Sequence, residues 1–258
     1  AIPTELRLQK KQERLTTELS GVGSFKSALA SFETTLKKLN ELDDFNKQII
    51  DVSTSDIEVT TNGFASNGSF SIEVTQLAYG TQLQSQNFSS SSDTVGSGTL
   101  TLASDNGTDT FDVVIDATDT LSDIRDKINQ SSDNYGIVAN VINTDAGTFL
   151  TYTSEITGAD NALTVSTSDA SLDNISTNNT TNQVAQDAII KIDGNQVTSS
   201  SNEFKNSIED VTITAKAENI GNPSTLTISQ DESNGDKLVK DFVNSYNALI
   251  STLDDLSN

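Results

Sequence analysis

Apolar residues at heptad spacing occupy the two ends of this 258-residue chain. Within Asp236 to Leu256 the steps alternate between three and four residues, at Val239, Phe242, Tyr246, Leu249, Leu253 and Leu256. Near the N-terminus the repeat is seven residues, at Leu8, Leu15, Val22, Leu29 and Leu36, with Phe25, Phe32 and Leu39 at the offset positions. This spacing places apolar side chains on one stripe of a helix, and such a stripe needs a second helix to cover it. We therefore predict that the two ends pair as an antiparallel, coiled-coil-like helical leg.

The C-terminal helix of this leg is predicted to be about 20 residues, or roughly 30 Å, long, with Ser24 to Leu42 as its partner segment. Gly21 and Gly23 interrupt the N-terminal pattern. Each costs roughly 1 kcal/mol relative to Ala inside a helix, so the first helix either bends there or begins near Ser24. The residues predicted to form leg packing or a subunit interface are Val22, Phe25, Leu29, Phe32, Leu36, Leu39, Val239, Phe242, Tyr246, Leu249 and Leu253.

Between the two ends the apolar period changes from 3.6 to 2, which indicates β-strands. The segments Ile57–Thr60 and Phe70–Thr75 are predicted to form an antiparallel hairpin. Further strand pairs are predicted for Thr99–Leu102 with Phe111–Ile115, Ile137–Ile142 with Thr148–Thr153, and Ala188–Ile192 with Val197–Thr198. A short helix is predicted after Thr120 or Ser122, with Leu121, Ile124 and Ile128 on one face.

Two polar segments, Ser89–Ser92 and Ser166–Gln183, are predicted to be a boundary linker and a linker or edge loop. Strand patterning on both sides of them suggests that strands before and after the middle segment complete one sheet. The predicted fold class is α+β, with a helical leg and two mainly antiparallel β-rich head domains, one inserted in the other. The predicted boundaries are 1–50 and 231–258 for the leg, 51–92 and 171–230 for the discontinuous head domain, and 93–170 for the inserted α+β domain.

Composition removes several kinds of chemistry. The chain has no Cys, His, Met or Trp, so a Ser-His-Asp triad, a thiol nucleophile, an ordinary zinc site and a disulfide framework are excluded. The net charge of -22 would repel nucleic acid and anionic lipid. No run of about 18 apolar residues is present. We expect neither a nucleic-acid nor a membrane partner, and no enzyme activity, cofactor or metal.

One acidic series needs separate consideration, because carboxylates at short spacing are typical of calcium sites and of catalytic acid pairs. It consists of Asp109, Asp112, Asp116, Asp119 and Asp123. An EF-hand loop requires a Gly at its sixth position and a Glu at its twelfth, and the series does not fit that pattern. A solvated strand face and charges at a helix N-terminus account for it better.

Several segments, taken in order, match a known family. They are Val74-Thr75-Gln76-Leu77-Ala78; the run from Leu121 to Asn129 followed by Gly136–Ala139; Gly147–Ser154 with Gly158; Ile192-Asp193-Gly194; Ser200–Asn202; Val211–Thr214; and Tyr246–Ile250. The chain resembles the bacterial flagellar filament cap family, also called flagellar hook-associated protein 2 or FliD. Before Val211 the family often carries a Gly turn, where this chain has Glu209-Asp210.

This resemblance implies a structural cap at the extracellular tip of the bacterial flagellum. In such a cap, five or six copies form a ring whose plate is made by the β domains. The legs reach the incoming flagellin, promote its polymerisation and prevent its loss. The alternative left open is a surface adhesin that binds mucin or host cells through residues 93–170. The chain has no initiator Met and no apolar signal core, and both helical seams run close to the chain ends, which predicts a fragment trimmed at both sides. The resemblance then implies that the terminal segments of the family, including the one expected to bind a chaperone, are missing.

Overall fold

The computed structural model describes residues 2–41, 47–62 and 64–257. The chain divides into two compact units. The first, built from the chain ends, comprises Ala1–Ile50, Gly63–Gly68 and Ile228–Asn258, and the second comprises Asp51–Asn62 and Ser69–Thr227. The last predicted position of the partner segment, Leu42, lies outside the described residues.

The first unit contains two long helices. Helix α1 spans Ile2–Asn40 and continues through Gly21 and Gly23, so the alternative that the helix begins near Ser24 is wrong. A side chain at Gly21 would overlap that of Leu256 in the C-terminal helix. The glycine is therefore a place where the partner helix approaches closely, and packing offsets its poor helix propensity.

The C-terminal helix spans Glu232–Ser257 and is labelled α3, since a short helix precedes it in the chain. It begins a few residues before Asp236, where the predicted helical pattern starts, because Asp231 caps it. The Asp231 carboxylate accepts hydrogen bonds from the backbone N–H groups of Ser233 at 3.1 Å and Asn234 at 3.2 Å, and from the Ser233 hydroxyl at 2.5 Å. These bonds satisfy donors that a helix N-terminus otherwise leaves unpaired.

This cap predicts a pH dependence. The hydrogen bond from the Ser233 hydroxyl and those from the backbone hold the pKa of Asp231 below its ordinary value of 3.8. A carboxyl group whose pKa is lower in the folded chain stabilises the fold above the unfolded pKa, and that contribution disappears as the pH falls through the folded pKa. We expect amides of the first turn of α3 to lose protection against hydrogen exchange, after correction for intrinsic rates, as the pH falls below about 4. Asp231→Ala should show fast exchange at pH 7 as well.

Asp231→Asn is the matched control, because an Asn cap keeps the accepting oxygen without a titrating group. Its first-turn exchange, corrected for intrinsic rates, should no longer change between pH 7 and pH 3. An unchanged pH response in Asp231→Asn would contradict the assignment to this carboxylate.

Fifteen strands are formed within the described residues. Their bounds are β1 Gln48–Val52, β2 Ile57–Thr61, β3 Gly68–Gln76, β4 Gln82–Gln84, β5 Gly98–Ser104, β6 Thr110–Ile115, β7 Ile137–Thr144, β8 Gly147–Ser154, β9 Leu163–Thr167, β10 Thr180–Gln183, β11 Ala188–Ile192, β12 Asn195–Ser199, β13 Glu203–Ile208, β14 Val211–Ala215 and β15 Ser224–Gln230. Helix α2 spans Leu121–Gln130, and 3-10 helices occupy Ala159–Asn161 and Ala170–Ile175.

These strands form four sheets. The largest has the order β1-β15-β3-β11-β12, and a four-stranded sheet has the order β10-β4-β8-β7. Two three-stranded sheets have the orders β13-β14-β2 and β6-β5-β9. Strand β3 precedes the middle segment and pairs with β11, which follows it. The prediction that strands on both sides of this segment complete one sheet is confirmed.

The predicted hairpin between β2 and β3 is wrong. All five residues of β2 pair with β14, from Ile57 opposite Ala215 to Thr61 opposite Val211, whereas β3 lies in the five-stranded sheet. Alternation of apolar and polar residues shows that one face of a strand is buried, but it does not identify the neighbouring strand. The long connection between β2 and β3 imposes no turn geometry that would pair them.

The segment Ser166–Gln183, predicted as a linker or edge loop, is mostly ordered secondary structure. Its 3-10 helix places Leu172 and Ile175 fully inside the core, each with no exposed area. Strand β10 then forms the edge of the four-stranded sheet. Two apolar residues among many polar ones are enough to anchor the segment, which is why its composition was misleading.

The largest core cluster lies between residues 83 and 175. Helix α2 contributes Leu121, Ile124 and Ile128 to it, as predicted, and Thr120 caps α2 in a reciprocal capping box with Asp123. The cluster consists of Leu83, Leu100, Leu102, Phe111, Val113, Ile115, Leu121, Ile124, Ile128, Ile137, Ala139, Leu150, Tyr152, Leu163, Val165, Leu172 and Ile175.

In two tight turns, an Asp residue has backbone angles in the left-handed region of φ/ψ space. Asp193 and Gly194 connect β11 to β12 with φ angles of 49° and 83°, the two positive values that a type I′ hairpin turn requires. At the Glu209-Asp210 turn, Asp210 has φ 63° and therefore takes the conformation that Gly usually adopts. Its carboxylate accepts a hydrogen bond from the Asn62 amide at 2.6 Å.

Candidate functional site

Helices α1 and α3 pack against each other in antiparallel order, as predicted. The ring of Phe32 lies 5.4 Å from that of Phe242 and 6.1 Å from that of Tyr246, centroid to centroid. The hydroxyl groups of Thr35 and Ser245 are 2.6 Å apart and share a hydrogen bond. Gly21 faces Leu256 near the far end of the contact.

The contact seam of this hairpin is shifted from the predicted stripe on both helices. A series of residues that are at least half-buried recurs at steps of three and four residues. This series consists of Gly21, Phe25, Ala28, Phe32, Thr35 and Leu39 on α1, and of Leu238, Phe242, Ser245, Leu249 and Thr252 on α3. Asn234, Gly235 and Asp241 of α3 are half-buried as well, outside the series. Small and hydroxyl-bearing side chains at heptad positions therefore belong to the seam, and a count of large apolar residues overlooks them.

The eleven candidate residues fall into two sets. Five lie half-buried in the seam: Phe25, Phe32, Leu39, Phe242 and Leu249. Six are exposed: Val22 at 63%, Leu29 at 37%, Leu36 at 48%, Val239 at 50%, Tyr246 at 47% and Leu253 at 41%.

The exposed set continues into further uncovered apolar side chains. On α3, Val243 and Ile250 lie between the exposed candidates, so that Val239, Val243, Tyr246, Ile250 and Leu253 form one continuous band, which we call the outer stripe. On α1, every residue from 3 to 20 is exposed, including Leu8, Leu15 and Leu19. Contiguous exposed apolar surface of this kind marks a site of interaction with another chain.

The acidic series has structural partners. The ammonium group of Lys127 bonds the carboxylate of Asp119 and lies 3.0 Å from that of Asp116 and 3.1 Å from the Val114 carbonyl oxygen. The hydrogen bonds to Asp119 and then to Asp116 raise the pKa of Lys127. The Asp123 carboxylate accepts from Thr120, which lowers the pKa of this acid. Asp116, Asp119 and Asp123 therefore take part in structural hydrogen bonds with neighbouring side chains.

Three further side chains have pKa values that differ from their ordinary values because of burial or hydrogen bonding. The Tyr152 hydroxyl donates to the Ile175 carbonyl at 2.6 Å, and complete burial raises its pKa far above the ordinary value. Burial raises the pKa of Tyr135 to about 12. The Glu73 carboxylate accepts from the Gly221 N–H at 2.8 Å and pairs with Lys191 at 3.0 Å, which lowers its pKa.

Residues 2–41, 47–62 and 64–257 contain no cluster of three or more acidic, His or Cys side chains arranged to bind a metal ion. In the same residues, no helix combines the length and the apolar character needed to cross a membrane.

Three family models match the chain. Residues 1–81 match the N-terminus of flagellar hook-associated protein 2, residues 185–258 match its C-terminus, and residues 99–160 match the flagellin hook IN motif. The chain is 32% identical to flagellar hook-associated protein 2 of Aeromonas caviae, over 95% of this chain and 56% of that protein. It is 33% identical to the Escherichia coli K12 protein, over 97% and 56%. The chain thus spans little more than half the length of these relatives.

A solved structure has the same fold. The D1-D2-D3 domains of the flagellar cap protein FliD from Escherichia coli superimpose with a TM-score of 0.76 and 32% identity, over 93% of this chain and 70% of that one. The α+β fold with a helical leg and antiparallel β-rich head is thereby confirmed. The helical leg, the antiparallel β-rich head and the relatives place the chain in a class of proteins that are named for the bacterial flagellum. The chain belongs to the flagellar hook-associated protein 2, or FliD, family.

Proposed function

We propose that this chain forms part of a structural cap at the distal end of the flagellar filament. The cap self-assembles, promotes flagellin polymerisation and prevents flagellin loss. The proposal rests on the apolar surface that is exposed on both helices of the hairpin. Exposed apolar surface of this extent is typical of a protein that binds other protein chains. Family membership supplies the flagellar context.

The two sets of leg residues take different roles in this proposal. The half-buried set, including Phe32 and Phe242, holds the hairpin together, and the ring contact at 5.4 Å supports this role. The exposed set, including Tyr246 and Leu253, contacts neighbouring subunits or flagellin. The division of the head into residues 51–92 with 171–230 and an inserted domain 93–170 stays a prediction.

The wider setting is part of the same proposal. The protein acts outside the cell at the filament tip, its partners are further copies of itself and flagellin, and it catalyses no reaction. A ring of five or six subunits stays a prediction, and so does any contact with host mucin. The relatives reported above carry flagellar names, so the adhesin alternative has no support from them.

The experiment changes the outer stripe in a full-length gene that restores a cap-deletion strain. Replacing Val239, Ile250 and Leu253 with Ser should leave the hairpin folded, because all three side chains are exposed. We expect these cells to release severalfold more monomeric flagellin into the medium and to carry fewer filaments, as measured by immunoblotting and electron microscopy.

The matched control replaces the exposed polar residues Asn244 and Asn247 of the same helix with Ser, and it should restore normal filaments. Helical circular dichroism of the purified variants establishes that both fold. Normal filaments and normal flagellin retention in the outer-stripe variant would contradict the role given to these residues.

A further inference from the structure

The four-stranded sheet β10-β4-β8-β7 carries no charged side chain, although the chain has 15 basic and 37 acidic residues. The absence extends to the segments that build and flank the sheet. Residues 79–92, 134–144, 146–154 and 174–186 contain no Asp, Glu, Lys or Arg. In a chain with a net charge of -22, this sheet is an uncharged surface within a strongly acidic protein.

One face of this sheet covers the core, and the other is open. Leu83, Leu150 and Tyr152 point inward and are buried. We call the opposite side the neutral face. Its exposed or half-buried side chains are Gln82, Gln84, Asn140, Ile142, Phe149, Thr151, Thr153 and Asn182, and they line a shallow groove.

Strand β7 also leaves part of its backbone edge open beside this face. The Asn129 side chain donates to the Ala139 carbonyl and accepts from the Ala139 N–H, both at 2.8 Å. The Asn134 side chain likewise donates to the Ile137 carbonyl and accepts from the Ile137 N–H, both at 2.7 Å. The backbone groups of Val141 and Asn143 point to the same side by the two-residue period, and no hydrogen-bond partner reaches them within the described part of the chain.

The charge balance indicates which partner fits such a surface. Two copies of this chain each carry a net charge of -22 and repel one another, and burying a carboxylate without a partner is costly. Interface cores are depleted in charged residues. A cationic partner would instead be attracted to the acidic surfaces elsewhere. A second copy can approach closely only where neither surface of the contact is strongly acidic.

We propose that the neutral face, together with the open β7 edge, is a docking surface for a second copy of this chain. The open backbone groups of Val141 and Asn143 supply hydrogen bonds to the neighbouring copy, and Ile142 and Phe149 supply apolar contact. The inference deepens the proposed cap function by naming a surface through which the copies associate, and it rests on that function.

The test adds charge to the neutral face of the purified 258-residue chain. Gln82→Glu with Asn140→Asp introduces two carboxylates that differ little in size from the native amides, at exposed positions. The control, Gln196→Glu with Asn222→Asp, adds the same charge at exposed positions elsewhere. Sedimentation velocity over a concentration series measures self-association of all three proteins, at low and at high salt.

We expect the wild-type chain to associate, and to do so more strongly at high salt because salt screens the repulsion between copies. The neutral-face variant should have a dissociation constant roughly tenfold or more above wild type, because like charges in an interface are unfavourable. The control should match wild type.

Two results would overturn the proposal: a wild-type chain that stays monomeric at every concentration and salt, or a neutral-face variant that associates as wild type does. The face would serve a different purpose if the variant lost binding to soluble oligosaccharides while its association was unchanged. Association of the purified chain is measured without filaments, whereas the outer-stripe experiment measures capping in cells. A wrong docking surface and a wrong cap function would therefore be detected by different experiments.

Discussion

Leu102→Ala is expected to lower the free energy of unfolding of the second compact unit, Asp51–Asn62 with Ser69–Thr227, by about 2–5 kcal/mol. This is the largest effect expected of any substitution proposed for this protein. Leu102 lies on the central strand of the sheet β6-β5-β9, opposite Phe111 on one side and Val165 on the other. It has no exposed area and belongs to the largest core cluster. Truncation removes buried apolar atoms and leaves a cavity that the neighbouring residues of the core cluster fill only in part.

Thermal unfolding followed by circular dichroism measures this effect. A unit of this size loses about 2–4 °C of midpoint temperature for each kcal/mol, so the midpoint should fall by roughly 4–20 °C. Val114→Ala is the control, because Val114 lies on the neighbouring strand β6 but is 63% exposed. Its midpoint should stay close to wild type. Equal midpoints for the two variants would mean that Leu102 is not a core residue.

Asn219→Ala is expected to be the second most destabilising change, at about 2–4 kcal/mol, because it leaves buried polar groups unpaired. The Asn219 side chain accepts from the Val74 N–H at 2.6 Å and donates to the Ser224 hydroxyl at 2.9 Å. Its backbone N–H donates to the Val74 carbonyl at 3.0 Å. Val74 and Ser224 have no exposed area, so water cannot replace the lost bonds.

Asn219→Asp separates the roles of the two side-chain atoms. The remaining oxygen still accepts from the Val74 N–H, but the former donor becomes an acceptor that faces the Ile72 carbonyl. The carboxyl group should therefore prefer its protonated form, and this variant should gain stability as the pH falls from 7 to 5 while Asn219→Ala does not. Denaturant unfolding at the two pH values measures this. A loss of stability with falling pH in Asn219→Asp would contradict the proposed pairing.

For the leg, the periodic pattern of apolar residues predicts the helices but not the residues through which they make contact. Both helices and their pairing could be predicted, because an apolar stripe must be covered by another surface. The seam itself could not be predicted, because each helix carries two adjacent apolar stripes. Thr35 and Ser245 occupy the seam where their hydroxyl groups bond at 2.6 Å, while the large side chain of Val22 remains 63% exposed.

In the β-rich head, pairing could be predicted for strands that are adjacent in the sequence but not for strands that are distant in it. The hairpins β5–β6 and β7–β8 were predictable, since short turn-forming connections bring adjacent strands together. The partners of β2 and β3 were not, because their neighbours β14 and β11 are distant in the sequence. The buried role of Leu172 was also missed, because polar residues around it give that segment the composition of a loop.

By itself, the sequence determined the two end helices, helix α2 and the strands with clear alternation, which chemistries are excluded, and to which family the chain is similar. These properties follow from local periodicity and composition, which need no knowledge of distant neighbours. Only the tertiary structure decided which stripe of each leg helix is covered, which strands distant in the sequence pair, and that four uncharged segments meet in one sheet. Those outcomes depend on side-chain shape and long-range hydrogen bonding, which are satisfied only when the chain has folded.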